Sequence, residues 1–436
     1  MGRRKRYAPL HVLLNGRVVG HLDKDVSGAI SFRYDGTWLD WEHAIPVSLS
    51  LPLREDAYRG EPVAAVFDNL LPDSGGLRRR IAEKVGAAGS DTYSLLAAIG
   101  RDCVGALQFI DDEAPPADEA VPSGDVLDAL AIEKLLLGLA QFPLGLSAED
   151  DFRISVAGAQ EKTALYWDGT LWLKPRGMTP TTHILKPQIG HLPNGIDLQN
   201  SVENEYYCLN LIRAFGLPAA EATIQTFGGT KALVVERFDR HRARDGRLLR
   251  LPQEDFCQAL SVPPSRKYQN EGGPGLVQIL QLLQGSDSPH PDQKTAFQAQ
   301  VLFWLVGATD GHAKNFSIFL GPSGTYRLTP LYDVLTAQPS LDARQIERKQ
   351  MKLAMAVGNS NPYRIDGIHG RHFVETGQQA GLPHSMVRSA LDEIAEGARA
   401  IMDRLGGALP PGFPEQIHAS VSRAVMARLP SLAVGK

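Results

Sequence analysis

"GATDGHAKNFSIFL", residues 307–320, sets Asp310, His312, Lys314 and Asn315 within six consecutive positions. Apolar residues crowd both flanks, "VLFWLV" at 301–306 and "FSIFL" at 316–320. A core segment gains nothing from polarity at its centre, because every buried polar group needs a partner. The stretch therefore predicts a loop built for chemistry. An Asp five residues before an Asn suits phosphoryl transfer. The Asp accepts or orients the attacking hydroxyl, and the Asn carboxamide oxygen can ligate Mg²⁺.

The rest of a phosphoryl-transfer site follows this loop outward in both directions. Downstream, "RLTPLYDVL" offers Asp333 as a second Mg²⁺ ligand, and two Asp with one Asn are enough for an ion that prefers few protein oxygens. Upstream, Lys186 in "THILKP" suits the α/β-phosphates of ATP. "SVAGAQEKT" at 155–163 suits a loop whose backbone N–H groups near Gly158 cover phosphate, although it lacks G-x-G-x-x-G. "VVERFDR" suits a hinge that offers backbone groups to adenine. Each piece also has a plain structural reading: Lys174 or Lys186 as a solvated charge, Asp333 as a turn residue, His312 as a structural hydrogen-bonder, Ser155 as a strand end. The order of the pieces carries the kinase reading: loop, lysine, acidic helix, hinge strand, Asp–Asn loop, Asp.

Length bounds the architecture. At 436 residues the chain exceeds one hydrophobic core and predicts two or three subdomains. Its 22% charged residues and net charge of −4 exclude bulk charge as a reason to bind nucleic acid or membrane. "GRRKR" at 2–6 reads as a solvated end, with direct DNA contact as the lesser alternative. Cys103, Cys208 and Cys257 are odd in number and far apart, which predicts small core residues in a reducing cytosol. No stretch approaches a membrane span and no apolar signal region follows the basic residues, so a cytoplasmic location is expected.

Periodicity and turn residues divide the chain. "LHVLLNGRVVGHL" predicts a hairpin at Asn15-Gly16, and "AISFRYDGTWLD" a second at Asp35-Gly36. Helical periodicity starts at "VAAVFDNLL". Arg78, Arg79 and Arg80 read as a solvated helix face or, less favoured, as phosphate contacts. Residues 111–125 are acidic, Pro-rich and linker-like, followed by a helix at 126–140. "RISVAGAQEKTALYW" predicts two strands, "LWLKP" and "THILKP" one each, "NSVENEYYCLNLIRAFG" a helix, and "KALVVERFDR" a buried strand. Helices are expected at 292–308, 384–405 and 415–428. The expected domains are 1–110, the linker 111–125, a strand-rich ATP-binding lobe at 126–240 and a helical catalytic lobe at 241–436. The fold class is α+β, a two-lobed kinase-like fold with an added N-terminal α/β subdomain.

"SVAGAQEKTAL", "HILKP", "SVENEYYCL", "VERFDR", "LPQEDFCQAL", "GGPG", "GATDGHAKNFSIF", "YRLTPLYDV" and "KLAMAVG" together resemble the HipA toxin kinases of bacterial type II toxin–antitoxin modules. The resemblance runs from about residue 8 to about 430 and is to the long form. It implies Asp310 as catalytic Asp, Asn315 and Asp333 as Mg²⁺ ligands, and Lys186 on the phosphates of ATP. It implies Glu236 and Phe238 at the adenine, with His312 and Lys314 among the nucleotide-binding residues. Val156, Ala157, Gly158, Ala159, Gln160 and Glu161 correspond to the phosphate-covering loop, and Ser155 to an autophosphorylated serine. The partners implied are a HipB-like helix-turn-helix antitoxin, operator DNA reached mainly through it, and glutamyl-tRNA synthetase as substrate. The sequence departs from better-known protein kinases: Val-Leu follows Asp333, Thr309 precedes Asp310, and either Glu203 or Glu205 could pair with Lys186. Two rival readings stand beside this one, a small-molecule or lipid kinase and a catalytically silent co-repressor.

Overall fold

Asn15 and Gly16 adopt left-handed backbone angles, φ 47° and 80°, the geometry of a two-residue turn whose twist matches the strands it joins. They connect β1 (Leu10–Leu14) to β2 (Arg17–Lys24). The Asn15 side chain also anchors a distant strand. Its Nδ2 donates to the Arg250 carbonyl and its Oδ1 accepts from the Arg250 N–H, each at 2.8 Å. β3 (Ile30–Tyr34), β4 (Tyr58–Arg59) and β5 (Leu107–Ile110) complete an antiparallel sheet ordered β4-β3-β2-β1-β5. Its buried face carries Val12, Leu22, Phe32 and Phe109, packed with Trp38 and Phe67.

The computed structural model describes residues 7–111, 122–147, 151–158 and 160–433. The basic residues at 2–6 and most of the acidic linker, 112–121, lie outside them. Three expectations are corrected. Asp35-Gly36 is not a hairpin turn: Asp35 is the N-cap of a short helix, Gly36–Leu39, its carboxylate accepting from the Thr37 N–H at 2.9 Å. The helix expected from 126 begins after Asp128 caps Ala129–Leu137, and the residues before it, Gly124–Leu127, form β6. Of the two strands expected in 153–167, only β7 (Thr163–Trp167) forms. Before it the chain makes one isolated parallel bridge, Gly158 to Pro72.

β8 (Trp172–Pro175), β9 (His183–Pro187) and the strands Ala222–Phe227 and Thr230–Glu236 make a second sheet with β6 and β7. The strand Thr230–Glu236 pairs with β9, and β9 with β7. Leu165, Leu185, Ala232 and Val234 pack beneath Ile132, Leu136 and Leu139. The first sheet, and the second apart from residues 222–224 at its edge strand, belong to one compact unit of the chain, 1–187, 225–265 and 318–326.

That unit contains a buried group of charges. Asp102 accepts from Arg237 at 3.2 Å, Arg240 at 2.8 Å and Arg250 at 2.9 Å, and Arg237 also meets Asp239 at 2.7 Å. Burial alone would raise the Asp102 carboxyl; Arg240, Arg237 and Arg250 outweigh it and hold the group far below the usual carboxylate range. Asp102 belongs to the chain that builds the first sheet and the arginines follow the last strand of the second, so the group ties the two sheets together. Arg78 is likewise engaged, donating to Asp68 at 2.6 Å and to the Pro72 carbonyl.

The other unit, 188–224, 266–317 and 327–436, is helical. Pro289–Val306 forms its axis, buried from Ala296 to Val306, and packs on the helices Leu276–Leu283, His384–Gly407 and Glu415–Leu432. The expected helix "NSVENEYYCLNLIRA" spans Ser201–Ala214. All three cysteines are buried and none is in a disulfide, as core residues should be.

Candidate functional site

The helix Pro289–Val306 ends on Gly307, whose φ of 74° only glycine adopts without strain. The Ala308 N–H returns to the Phe303 carbonyl at 2.8 Å, closing a Schellman cap. The polypeptide then runs back along its own helix: a Cβ at Gly311 would sit 2.4 Å from a Phe303 ring carbon. Gly311 is thus the residue that lets a polar loop lie directly on an apolar helix end. The His312 N–H donates to the Asp310 carbonyl at 2.8 Å and the Asn315 N–H to the His312 carbonyl at 2.9 Å. This winding leaves the Asp310 side chain exposed while His312, Lys314 and Asn315 are buried.

Asp333 is brought to this loop by its neighbours. The Leu331 N–H donates to the Pro218 carbonyl at 2.9 Å, and its carbonyl accepts from the Ala220 N–H at 2.8 Å. The Tyr332 hydroxyl donates to the Lys314 carbonyl at 2.7 Å, and Asn315 Nδ2 donates to the Asp333 carbonyl at 3.0 Å. Asp333 itself has φ 57°, a left-handed conformation in which Asp is among the few side chains tolerated.

Because Nδ2 of Asn315 is committed to a carbonyl, its Oδ1 must point elsewhere. That oxygen is buried and has no hydrogen-bond partner among the described residues. A buried carboxamide oxygen without a donor is a place for a cation. The Asn315 oxygen therefore fits a Mg²⁺ ion, a hard cation that takes oxygen ligands, and Asp333 is the acidic residue whose backbone Asn315 adjoins. Among the described residues no cluster of three His, Cys, Asp or Glu side chains offers a different metal site.

One residue of this loop's setting was not legible in the sequence. The Tyr268 hydroxyl donates to Asp310 Oδ1 at 2.5 Å, and its ring meets His312 edge to face with centroids 5.0 Å apart. Tyr268 and Thr309 also help line a cavity of about 800 Å³, with Leu353, Ala354, Pro362 and Tyr363.

Of the remaining predicted residues, Lys186, Glu236, Phe238 and Ser155 lie in the first unit, and Glu203 and Glu205 in the second. Lys186 stands on β9 opposite Leu233 and is nearly fully buried. Glu236 is opposite His183, three positions along the same strand, a separation of roughly 10 Å at the rise of a strand. Glu236 is exposed, and Phe238 meets Phe319 edge to face. His183 is held neutral, because burial depresses its imidazole to about 4.

The segment from Ser155 to Glu161 feeds β7, whose Thr163 pairs with Leu185 beside Lys186. Val156 is buried, Ala157, Gly158 and Gln160 are half-buried, Glu161 is exposed, and Ala159 lies outside the described residues. Gly158 has φ 106°, and a Cβ there would meet Lys162 Nζ at 2.6 Å. Ser155 is fully buried, its Oγ donating to the Leu70 carbonyl at 2.7 Å. Of the two acidic residues on the helix Ser201–Ala214, Glu203 accepts from Gln188 at 2.7 Å, and both Glu203 and Glu205 are buried.

Comparison with known proteins adds a family. Residues 10–110 match the HipA N-terminal domain and residues 154–402 the HipA-like C-terminal domain. Y4mE of Sinorhizobium fredii, whose name ascribes it kinase activity, is 35% identical over 90% of this chain and 92% of its own. The serine/threonine-protein kinase toxin HipA of Shewanella oneidensis is 29% identical over 88% of this chain and 86% of its own. In the solved complex of Shewanella HipA with HipB and operator DNA, one chain superimposes with a TM-score of 0.80 at 26% identity, covering 96% of both chains. The two-lobed kinase-like fold with its N-terminal subdomain is therefore this chain's fold.

Proposed function

From the premise that the chain belongs to the HipA family of toxin kinases, we propose that it moves the γ-phosphate of ATP to a protein serine. Asp310 is the base that takes or orients the serine proton. Asn315 and Asp333 hold Mg²⁺, which when bound neutralises charge on the phosphates. Lys186 serves the phosphates, the segment Val156–Glu161 covers them through backbone N–H groups, and Glu236 and Phe238 serve the adenine. His312 and Lys314 belong to the nucleotide-binding set. The observation that carries this reading is the unpartnered Asn315 oxygen, held beside Asp333 and five residues from an exposed Asp310.

The acceptor assigned by family correspondence is glutamyl-tRNA synthetase, with growth arrest as the consequence. Neutralisation is assigned to a HipB-like helix-turn-helix protein, with which the chain would co-repress its own operator. Purified chain with γ-labelled ATP, Mg²⁺ and glutamyl-tRNA synthetase tests the assignment. Labelled synthetase with the wild type and none with Asp310→Asn supports it; an unlabelled synthetase removes that acceptor. A phosphoproteome comparison of the same two proteins then identifies the acceptor in its place.

Ser155 is the second acceptor. Its hydroxyl is buried against a carbonyl oxygen, and a phosphate there brings about −1.5 to −2 charges into a space with no room for it. The modified segment must therefore leave its seat and take the phosphate-covering loop with it. Mass spectrometry after incubation with Mg²⁺ and ATP is expected to find phosphorylated Ser155 in a form with weakened ATP binding. An unmodified Ser155, or a modified form that binds ATP as before, contradicts the switch.

A further inference from the structure

We infer that Tyr268 is the positioning residue of Asp310: its hydroxyl fixes Oδ1, leaving Oδ2 for the acceptor hydroxyl. This rests on the reading of Asp310 as the base. Among the described residues Tyr268 is the only donor to that carboxylate, so an exposed side chain that must meet its substrate in one orientation is steadied by one bond. In the transfer itself, the acceptor oxygen bonds to the γ-phosphorus as the bond to the β,γ-bridging oxygen breaks. ADP leaves, the acceptor proton passes to Oδ2, and the phenol keeps its own proton.

The tyrosine is held by a tightly closed turn. The Glu271 and Gly273 N–H groups both return to the Tyr268 carbonyl, at 3.0 and 2.9 Å. Gly272 has φ 89°, and a Cβ at Gly273 would stand 2.0 Å from the Arg266 carbonyl oxygen. Gln269, the next residue, accepts from the Ala356 N–H at 2.7 Å and lies against Gly275, where a Cβ would meet its amide at 2.6 Å. The "GGPG" at 272–275 thus has a physical reason: it closes the turn that presents Tyr268. On the loop side the ring is braced by His312. Tyr268 and Thr309, the residue before Asp310, wall a cavity of about 800 Å³, a volume in the range of ligand sites, so an acceptor segment has room beside this tyrosine.

The test uses the full chain and ADP formation from Mg²⁺-ATP, which counts transfer to the chain itself and to water alike. Tyr268→Phe keeps the ring and removes the hydroxyl. Its maximal rate should fall about ten-fold, the kinetic equivalent of one hydrogen bond to a charged group. Half-saturating ATP and the thermal midpoint should stay unchanged. Asp310→Asn should lose at least a hundred-fold, and adding Tyr268→Phe to it should cost nothing more, because the two act as a unit. A Tyr268→Phe rate equal to or above the wild type, with Asp310→Asn inactive, overturns this inference alone. So does a further ten-fold loss in the double variant, which marks a structural role. An active Asp310→Asn, or a wild type that forms no ADP, overturns the reading of the base and this inference with it.

Discussion

Asp310 and Glu254 show how differently two carboxylates can be used in one chain. Asp310 is exposed and tied by one phenol. Replacing it with Asn keeps the shape and removes the proposed base, so turnover should fall roughly 10²-fold or more with an unchanged thermal midpoint. Steady-state kinetics and a melting curve on the same preparation check both halves. Glu254 is buried, accepts from the Leu49 N–H at 2.8 Å, and leaves its other oxygen without a partner among the described residues. Burial raises its carboxyl to about 8, from an ordinary 4.5. A raised carboxyl favours the protonated, folded form, so the stability it contributes is complete below 4.5 and is lost as pH rises through 8. The wild-type melting temperature should therefore fall as pH rises from 4.5 to about 8 and level off above that, and Glu254→Gln should flatten that slope. Parallel slopes for the two proteins would contradict a buried neutral Glu254.

At the scale of elements, the polar loop after an apolar helix was legible because its polarity interrupts two apolar runs, and the structure winds it with Asp310 exposed and Asn315 buried. Asn15-Gly16 was legible because both residues take the positive φ of their turn. Asp35-Gly36 looked the same in sequence and became a helix start, since the carboxylate of an Asp can cap as readily as turn. Residues 151–158 defeated the strand reading because their backbone partners come from Asp102 and Pro72, contacts that no local pattern encodes. Tyr268 was hidden for the same reason, 42 positions from its partner. The element on which the proposed function rests is the turn at Gly311. Gly311→Ala drives a methyl into the Phe303 ring, and overpacking of this kind costs about 1–3 kcal/mol. The expected outcome is a modest drop in denaturant midpoint with a disproportionate loss of ADP formation, since the displaced residues include Asp310. Equal activity in the variant would mean that the loop tolerates another path.

For the molecule as a whole, the first unit is held by charge as well as by apolar packing. Asp102 sits among three arginines with all four side chains buried. Removing one member of such a group is expensive, about 3–5 kcal/mol, because the others stay buried without compensation. Asp102→Ala should lower the urea midpoint by that measure, whereas exposed Asp125→Ala, which breaks the surface pair with Arg176, should cost less than about 1 kcal/mol. Comparable losses would deny the buried group its structural role. None of this network was legible beforehand: its members are scattered from 102 to 250, and only folding brings them together.

The phosphoryl-transfer reading depends on the oxygen of Asn315. A titration of the wild-type complex with a non-hydrolysable ATP analogue, using Mn²⁺ in place of Mg²⁺ and read by electron paramagnetic resonance, measures it directly. Tight Mn²⁺ binding is predicted for the wild type, weakening about ten-fold or more in Asn315→Ala, with nucleotide still bound. Equal Mn²⁺ affinity in the two proteins would contradict a metal-binding Asn315.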